Sequence, residues 1–207
     1  MPTAREALLD AAYTALARRP WSAVRMVDVA AAAGVSRQTL YNEFGSKDGI
    51  ARALVRREAD GFLTGVDRAL ASGGLDAMGD WTLRAARANA LVRALLTGCW
   101  GERLPVLARV GARSRPGVPA QRRADGPLPA PGELLAQVRD RAAAWVLGER
   151  GGDESAKDVL RECEVAVRLA LSYVVAPAEP GRERAGGPHR QGAGGRVSAP
   201  SRRAADR

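Results

Sequence analysis

The apolar residues of this 207-residue chain recur every three or four positions, and no stretch alternates between apolar and polar residues as a strand would. The pattern is clearest over residues 153–175. Apolar residues at this spacing form one stripe along a helix, and the stripe must be buried against another surface. The sequence therefore predicts an all-α fold whose helices pack through amphipathic faces.

Capping and breaking residues divide the chain into individual helices. Thr3 with Glu6 three positions later predicts a capping box at the start of the first helix. Either Ser22 or Arg25 begins a short second helix, which Gly34 ends. Similar signals predict a helix from Ser36 to Gly45, a long helix from Ser46 broken at Gly73-Gly74, one or two helices over 75–98, an amphipathic helix over 132–147, a turn over 148–152 and a helix over 153–175.

Two segments differ from these helices in composition. Residues 101–132 and 177–207 are rich in Gly and Pro, and each contributes +4 to the formal net charge of +9. Such segments bury too little apolar surface to offset the entropy lost on ordering. We therefore expect a flexible segment at about 101–132 and a disordered tail over 177–207. The rest divides into a predicted N-terminal domain, 1–57, and a predicted helical domain, 58–176.

The sequence argues against several classes of protein. No charge-free apolar run reaches the roughly 20 residues that span a bilayer. Charged residues inside the first apolar stretch argue against a signal peptide. Cys99 and Cys163 fit a reducing compartment and are expected to be buried, and with His189 they cannot assemble the usual metal ligands. We therefore expect a cytoplasmic protein with no metal, cofactor or membrane partner.

The stretch from Val27 to Phe44, VDVAAAAGVSRQTLYNEF, predicts two short helices joined at Gly34, a helix-turn-helix. Its alanines allow the helices to approach closely, and glycine adopts the positive φ that the turn requires. Leu40 is expected to anchor the second helix, which leaves the opposite face free to reach bases and phosphates. That face carries Arg37, Gln38, Thr39, Tyr41 and Asn42, and Ser36 stands at the helix N-terminus, where free N–H groups favour a phosphate.

The same stretch and its flanks resemble the N-terminal domain of the tetracycline-repressor (TetR) family of bacterial transcription regulators. The resemblance covers about the first 57 residues, and it rests on Arg18-Arg19-Pro20-Trp21, Val27-Asp28-Val29-Ala30, Ala33-Gly34-Val35-Ser36, Thr39-Leu40-Tyr41, Phe44, Ser46-Lys47 and Ile50. It implies a sequence-specific repressor that acts as a homodimer on a pseudo-palindromic DNA operator. It also implies a small-molecule effector, which the sequence does not identify.

The resemblance also implies roles for individual residues. Contacts to bases are implied for Arg37, Gln38 and Asn42, contacts to phosphates for Tyr41 and Lys47, and a contact to either for Thr39. Members of the family often have Thr at the position of Met26, where it meets the DNA backbone. Arg25 or Ser22 is expected to supply that contact in this chain.

Two other functions stay open at the level of sequence. The basic segments would suit an architectural DNA-binding protein that responds to no effector. An enzyme with an incidental helical head is also conceivable, but it needs a nucleophile–base pair or a metal site, and the sequence offers neither. We therefore expect no enzymatic activity.

The predicted C-terminal domain carries less specific signals. Its large apolar residues are candidates for an effector pocket, although large aromatic residues in helices are more often plain core. The candidates for the pocket are Trp81, Leu95, Trp100 and Trp145. The last two helices are expected to pair with their copies as a four-helix bundle across a two-fold axis. The candidates for this interface are Val138, Leu160, Cys163, Val167 and Leu171.

Overall fold

The computed structural model describes residues 2–105, 128–150 and 155–176. Within these ranges it is all-α, which confirms the predicted fold class. The helices are α1 (Ala4–Arg18), α2 (Met26–Ala32), α3 (Arg37–Phe44), α4 (Lys47–Ala88), α5 (Ala90–Thr97), α6 (Pro131–Arg150) and α7 (Ala156–Val175), with a 3-10 turn over Trp21–Ala23. The tail predicted over 177–207, most of the segment predicted to be flexible, and residues 151–154 lie outside the described residues.

Side-chain caps set the helix starts in the N-terminal part. At α1 the Thr3 hydroxyl accepts from the Glu6 amide at 3.2 Å, and the Glu6 carboxylate accepts from the Thr3 amide at 2.7 Å, as the capping-box pattern predicts. Ser36 caps α3 and Ser46 caps α4, each by accepting from the amide three residues later. Arg25 precedes α2, which decides between the two starts that the sequence left open.

The long helix α4 bends where Gly73-Gly74 predicts a break. Gly74 has φ +65, a conformation that favours glycine, and a Cβ there would lie 2.8 Å from the Trp145 ring of α6. After the bend the helix continues to Ala88. The side chain of Asn89 then caps α5 by accepting from the amide of Leu91 at 2.9 Å. The region predicted as one or two helices therefore forms two.

Two predicted boundaries are wrong. Gly148 was expected in a turn, but α6 continues through it to Arg150. Glycine inside a helix costs only about 1 kcal/mol, and the packing of α6 against α4 and α7 outweighs that preference. At its other end α6 begins at Pro131, one residue before the predicted start at 132 and inside the segment expected to be flexible at about 101–132, because proline suits the first helical position.

One hydrophobic core runs through the helices, and α4 contributes to it along most of its length. Its first turns, which include the fully buried Ile50, pack on α1 and α3, whose Leu8 and Leu40 belong to the same core. Further along, α4 packs on α5, α6 and α7. Cys163 of α7 is fully buried as predicted, whereas Cys99 is exposed because it follows the last turn of α5.

We predict opposite effects for the same substitution at two glycines one turn apart on α4. A Cβ at Gly65 would overlap the Trp81 ring, whose indole Nε1 donates to the carbonyl of Phe62 at 3.1 Å and cannot move away freely. A Cβ at Gly61 would meet no atom within 4 Å. Gly65→Ala should therefore lower the free energy of unfolding by about 2 kcal/mol. Gly61→Ala should raise it by up to about 1 kcal/mol.

Urea unfolding followed by circular dichroism measures both variants against the parent chain. Equal effects at the two positions would contradict the packing of Trp81 on Gly65.

Candidate nucleic-acid interface

Helices α2 and α3 form the predicted helix-turn-helix around Gly34. This residue has φ +67, and a Cβ there would meet no atom within 4 Å, so the backbone conformation alone favours glycine. The amide of Val35 donates to the carbonyl of Ala30 at 3.0 Å, which closes the end of α2. Leu40 is fully buried, as the anchoring role predicted for it requires. The turn therefore holds α3 across α2 with one face outward.

The outward face of α3 brings together the side chains that the sequence selected. Arg37, Gln38, Tyr41 and Asn42 are exposed, and Thr39 is half-buried. The amide nitrogen of Gln38 donates to the Asn42 Oδ1 at 2.8 Å, so the two amides stand side by side one turn apart. Side-chain amides and guanidinium groups are the groups that read base edges in a major groove. The face therefore has the chemistry of a recognition helix.

The N-terminus of α3 is built by Ser36 and Thr39. The Ser36 hydroxyl accepts from the Thr39 amide at 3.0 Å and lies 2.9 Å from the Thr39 hydroxyl. These two hydroxyl groups are thus already engaged with each other. The backbone amides of Arg37 and Gln38 stand in the first turn, where a helix supplies no acceptor. A phosphate at this end would therefore meet backbone N–H groups before side chains.

Lys47, the first residue of α4, is tied to the segment that precedes α2. Its Nζ donates to the carbonyl of Ser22 at 3.0 Å and lies 5.7 Å from the centroid of the Trp21 ring. Trp21 is buried, so it is a firm support for the ammonium group. An ammonium has three N–H donors, and one is used here. The arrangement holds Lys47 beside the helix-turn-helix with donors left for a phosphate.

Arg25 is held by Asp28 at the start of α2. Its Nε and Nη2 donate to the two Asp28 oxygens, each at 3.1 Å, and Arg19 donates to the same carboxylate at 3.1 Å. The hydrogen bonds from Arg25 and then from Arg19 hold the pKa of Asp28 below its ordinary value of 3.8. Met26 is buried, so its side chain belongs to the core. Arg25, which is exposed, is thus fixed at the edge of the interface.

Residues 8–54, from the middle of α1 into α4, match the family described as bacterial regulatory proteins, tetR family. The N-terminal part of this chain is therefore similar to that family's DNA-binding domain over these residues. The match spans the whole helix-turn-helix, and it confirms the resemblance carried by the AGVS and TLY strings.

One curated relative and one solved structure illustrate how far the similarity extends. Over 66 residues the chain is 48% identical to the HTH-type transcriptional regulator AlkX of Mycobacterium tuberculosis (strain ATCC 25618 / H37Rv). The aligned region covers 32% of this chain and 31% of that relative. The chain thus matches about a third of that relative's length. The crystal structure of the TetR family repressor AlkX from Dietzia sp. strain DQ12-45-1b has 22% identity and a TM-score of 0.44, with 85% of each chain covered.

The residues predicted to line an effector pocket lie at different places in this chain. Trp100 lines a cavity of about 810 Å³ between α1, α5 and residues 98–104. Trp81 instead covers Gly65, Trp145 packs at Gly74, and Leu95 is buried in the core. The sequence missed Tyr13, Asn89, Arg93 and Arg103 in the cavity wall. No sequence pattern indicates them, because they come from separate segments that only the fold brings together.

Most of the residues predicted for a dimer interface lie inside the protomer. Val138 of α6 and Cys163 and Val167 of α7 are buried, because α6 and α7 pack on each other and on α4 within one chain. They are therefore not available to a second copy. Leu171 is half-buried and packs against the same core, and Leu160 is 37% exposed. The exposed apolar residues of α7 are mainly others: Val165, Leu169, Tyr173 and Val175.

Neither a metal site nor a membrane-spanning helix is found in the part of the chain that the structure describes. No group of three or more His, Cys, Asp or Glu residues is placed to hold a metal ion there. None of the helices described is both long and apolar enough to cross a bilayer.

We predict that Asp28→Asn destabilises the chain in a pH-dependent way. The folded state lowers the pKa of Asp28, so its stabilising effect is present above the ordinary value of 3.8 and is lost as the pH falls through the folded-state pKa. The variant should be less stable than the parent near neutral pH and equally stable in strong acid. Urea unfolding at a series of pH values measures the difference.

Asp60→Asn is the matched control, because Asp60 is exposed in the middle of α4. A difference between Asp28→Asn and the parent that stays constant down to strong acid would contradict the role of the carboxylate charge.

Proposed function

We propose that this chain is a sequence-specific DNA-binding transcriptional regulator, a repressor that acts as a homodimer on a pseudo-palindromic operator and is released by a small-molecule effector. The observation that carries the proposal is the exposed face of α3, where Arg37, Gln38, Tyr41 and Asn42 stand together on a helix anchored by Leu40. Arg25, just before α2, and Lys47, at the start of α4, are each held in place by a hydrogen bond. Tight phosphate anchoring beside a base-reading helix is what a sequence-specific reader needs.

The proposal separates two kinds of contact on the interface. Arg37, Gln38 and Asn42 would read bases, because their planar donor groups suit the major groove. Tyr41, which is 39% exposed, Arg25 and Lys47 would meet phosphates. Base contacts set preference for sequence, whereas phosphate contacts add affinity for any DNA. The two groups of residues should therefore respond differently to substitution.

The test of the base-reading role is Arg37→Ala. A labelled duplex from the region upstream of the gene is titrated with the parent chain, with random DNA as competitor, and fluorescence anisotropy gives the affinity. Arg37→Ala should cost about 1–3 kcal/mol of specific binding and relax the preference at particular base pairs. The control is Arg87→Ala, at an exposed arginine of α4.

The parent chain should prefer the upstream duplex over random DNA by at least about a thousandfold. Equal affinity of the parent for both duplexes would contradict sequence-specific regulation and favour an architectural DNA-binding protein.

The test of the phosphate role is Lys47→Ala. It should weaken binding to all duplexes alike and reduce the slope of log affinity against log salt concentration by about one. The chain has only one other lysine, Lys157, which is exposed in the first turn of α7, and Lys157→Ala is the matched control. An unchanged slope for Lys47→Ala would mean that Lys47 only braces Ser22 and Trp21.

A stripe on α7 supports the proposed homodimer. Val165, Leu169 and Tyr173 follow one another at four-residue spacing on one face of the helix, with 62%, 57% and 44% of their surfaces exposed. The opposite face, with Val159, Cys163 and Val167, is buried in the protomer. An apolar stripe left in solvent on a core helix is a candidate surface for burial in an oligomer. We place the dimer interface on this exposed stripe.

We predict that Leu169→Glu converts the dimer to a monomer, because a carboxylate in the centre of the stripe would be buried without a partner. Sedimentation velocity measures the oligomeric state. The control is Leu160→Glu, nine residues away and so about half a turn around the helix from Leu169. It should leave the dimer intact. Dissociation by Leu160→Glu and not by Leu169→Glu would place the interface on the other side of α7.

A further inference from the structure

The cavity of about 810 Å³ has the size and lining of a small-molecule site. Its apolar wall consists mainly of Tyr13, Leu16, Leu91, Trp100 and Leu104. The cavity is not at the pocket predicted from the tryptophans, since only Trp100 of those residues lines it and α1 supplies one side. A molecule in this cavity would therefore contact α1, which precedes the helix-turn-helix, directly.

Two arginine residues lie in the wall of the cavity. Arg93 of α5 and Arg103 of the segment after α5 both lie in its wall and are exposed. Among the residues that the structure describes, neither has an ion-pair partner. Among the described residues that line the cavity, Glu102 is the only acidic one. An arginine without a partner binds a carboxylate through two parallel N–H groups, so the wall favours an anionic head group.

The geometry points to a binding site for a small amphipathic organic anion, with a flat apolar body against Trp100 and Tyr13 and a carboxylate held by Arg93 and Arg103. Trp100 is 37% exposed, so its ring is open to a flat partner, and aromatic rings stack favourably. This inference rests on the proposed function and names the chemical class of its effector.

A short chain of contacts joins the cavity to the interface. The carbonyl of Arg103 accepts from the Trp21 amide at 2.8 Å. Trp21 and Ser22 in turn hold Lys47 through the ring and the carbonyl described above. An occupant that touches both α1 and Arg103 favours one arrangement of these groups over another. Such a difference in affinity is what couples a ligand to a second site.

The test uses 2-naphthoate as the probe and the thiol of Cys99 as the reporter. Cys99 lies in the cavity wall and is exposed, whereas Cys163 is buried and should stay unmodified in the folded chain. Saturating 2-naphthoate should slow alkylation of Cys99 by N-ethylmaleimide, and the concentration for half protection gives the affinity. Neutral 2-naphthamide should bind at least about fivefold more weakly, because it lacks the charge-assisted bonds.

Charge variants of the wall show whether the arginines hold the anion. Arg93→Gln and Arg103→Gln should each weaken 2-naphthoate about fivefold or more, and Glu102→Gln should strengthen it by removing a repulsive charge. Arg87→Gln, outside the wall, is the matched control and should change nothing. If the arginines had only a structural role, the arginine variants and Glu102→Gln would not change the affinity for 2-naphthoate in opposite directions.

A filling variant shows whether the cavity is the site. Ala17 is an exposed residue of α1 in the wall, and Ala17→Trp should abolish protection by 2-naphthoate while circular dichroism stays that of the parent. If Ala17→Trp unfolds, the charge variants decide. Equal protection by acid and amide, or 2-naphthoate binding indifferent to Arg93→Gln and Arg103→Gln, would overturn the inference.

Binding of 2-naphthoate and binding of DNA are measured in separate experiments, so that each tests one proposal. Alkylation is followed without DNA, so it reports on the cavity even if the chain is no regulator. DNA binding without probe tests the proposed function even if the cavity binds nothing. With both present, 2-naphthoate should change the affinity for the upstream duplex, and the duplex should change the affinity for 2-naphthoate by the same factor. Probe binding that leaves DNA affinity unchanged would overturn the coupling.

Discussion

Helix α4 holds this structure together, because it packs against two different sets of helices along its length. Helix α4 packs its first turns, which include Ile50, against α1 and α3, and its later turns against α5, α6 and α7. Each of these surfaces is apolar, and burying them on a common helix stabilises both parts at once. At the bend, Gly74 lets α4 lie close against the Trp145 ring of α6, because glycine has no Cβ. The orientation of α3 therefore depends on a core that extends well beyond α1, α2 and α3.

Local geometry supports DNA binding here better than total charge does. Of the net charge of +9, most falls in the two Gly- and Pro-rich segments, and residues 1–58 carry only +3. What matters is where the charges and amides are held. Asp28 fixes Arg25, Ser22 and Trp21 fix Lys47, and α3 aligns Gln38 with Asn42. Groups held in place lose less entropy on binding than free ones.

The N-terminal part was largely predictable because its signals are local. A cap needs a hydroxyl and an amide three residues away, as at Ser36 and Ser46, and a turn needs a glycine with positive φ, as at Gly34. These conditions are met within a few residues, so the sequence contains them in full. The same reasoning failed at Gly148, where packing from outside the segment outweighs a local preference.

The C-terminal sites were not predictable, because they depend on which face of a helix meets which neighbour. A stripe such as Val159, Cys163 and Val167 indicates a buried face, and only the tertiary structure decides that the neighbour is the same chain and not a second copy. The cavity wall likewise joins Tyr13, Arg93 and Arg103, which are far apart in sequence. The sequence alone thus determined most of the helices, their caps and the exposed polar face of α3, since these arise from short-range bonding. The tertiary structure decided the free stripe of α7 and the cavity, since both are set by the packing of distant segments.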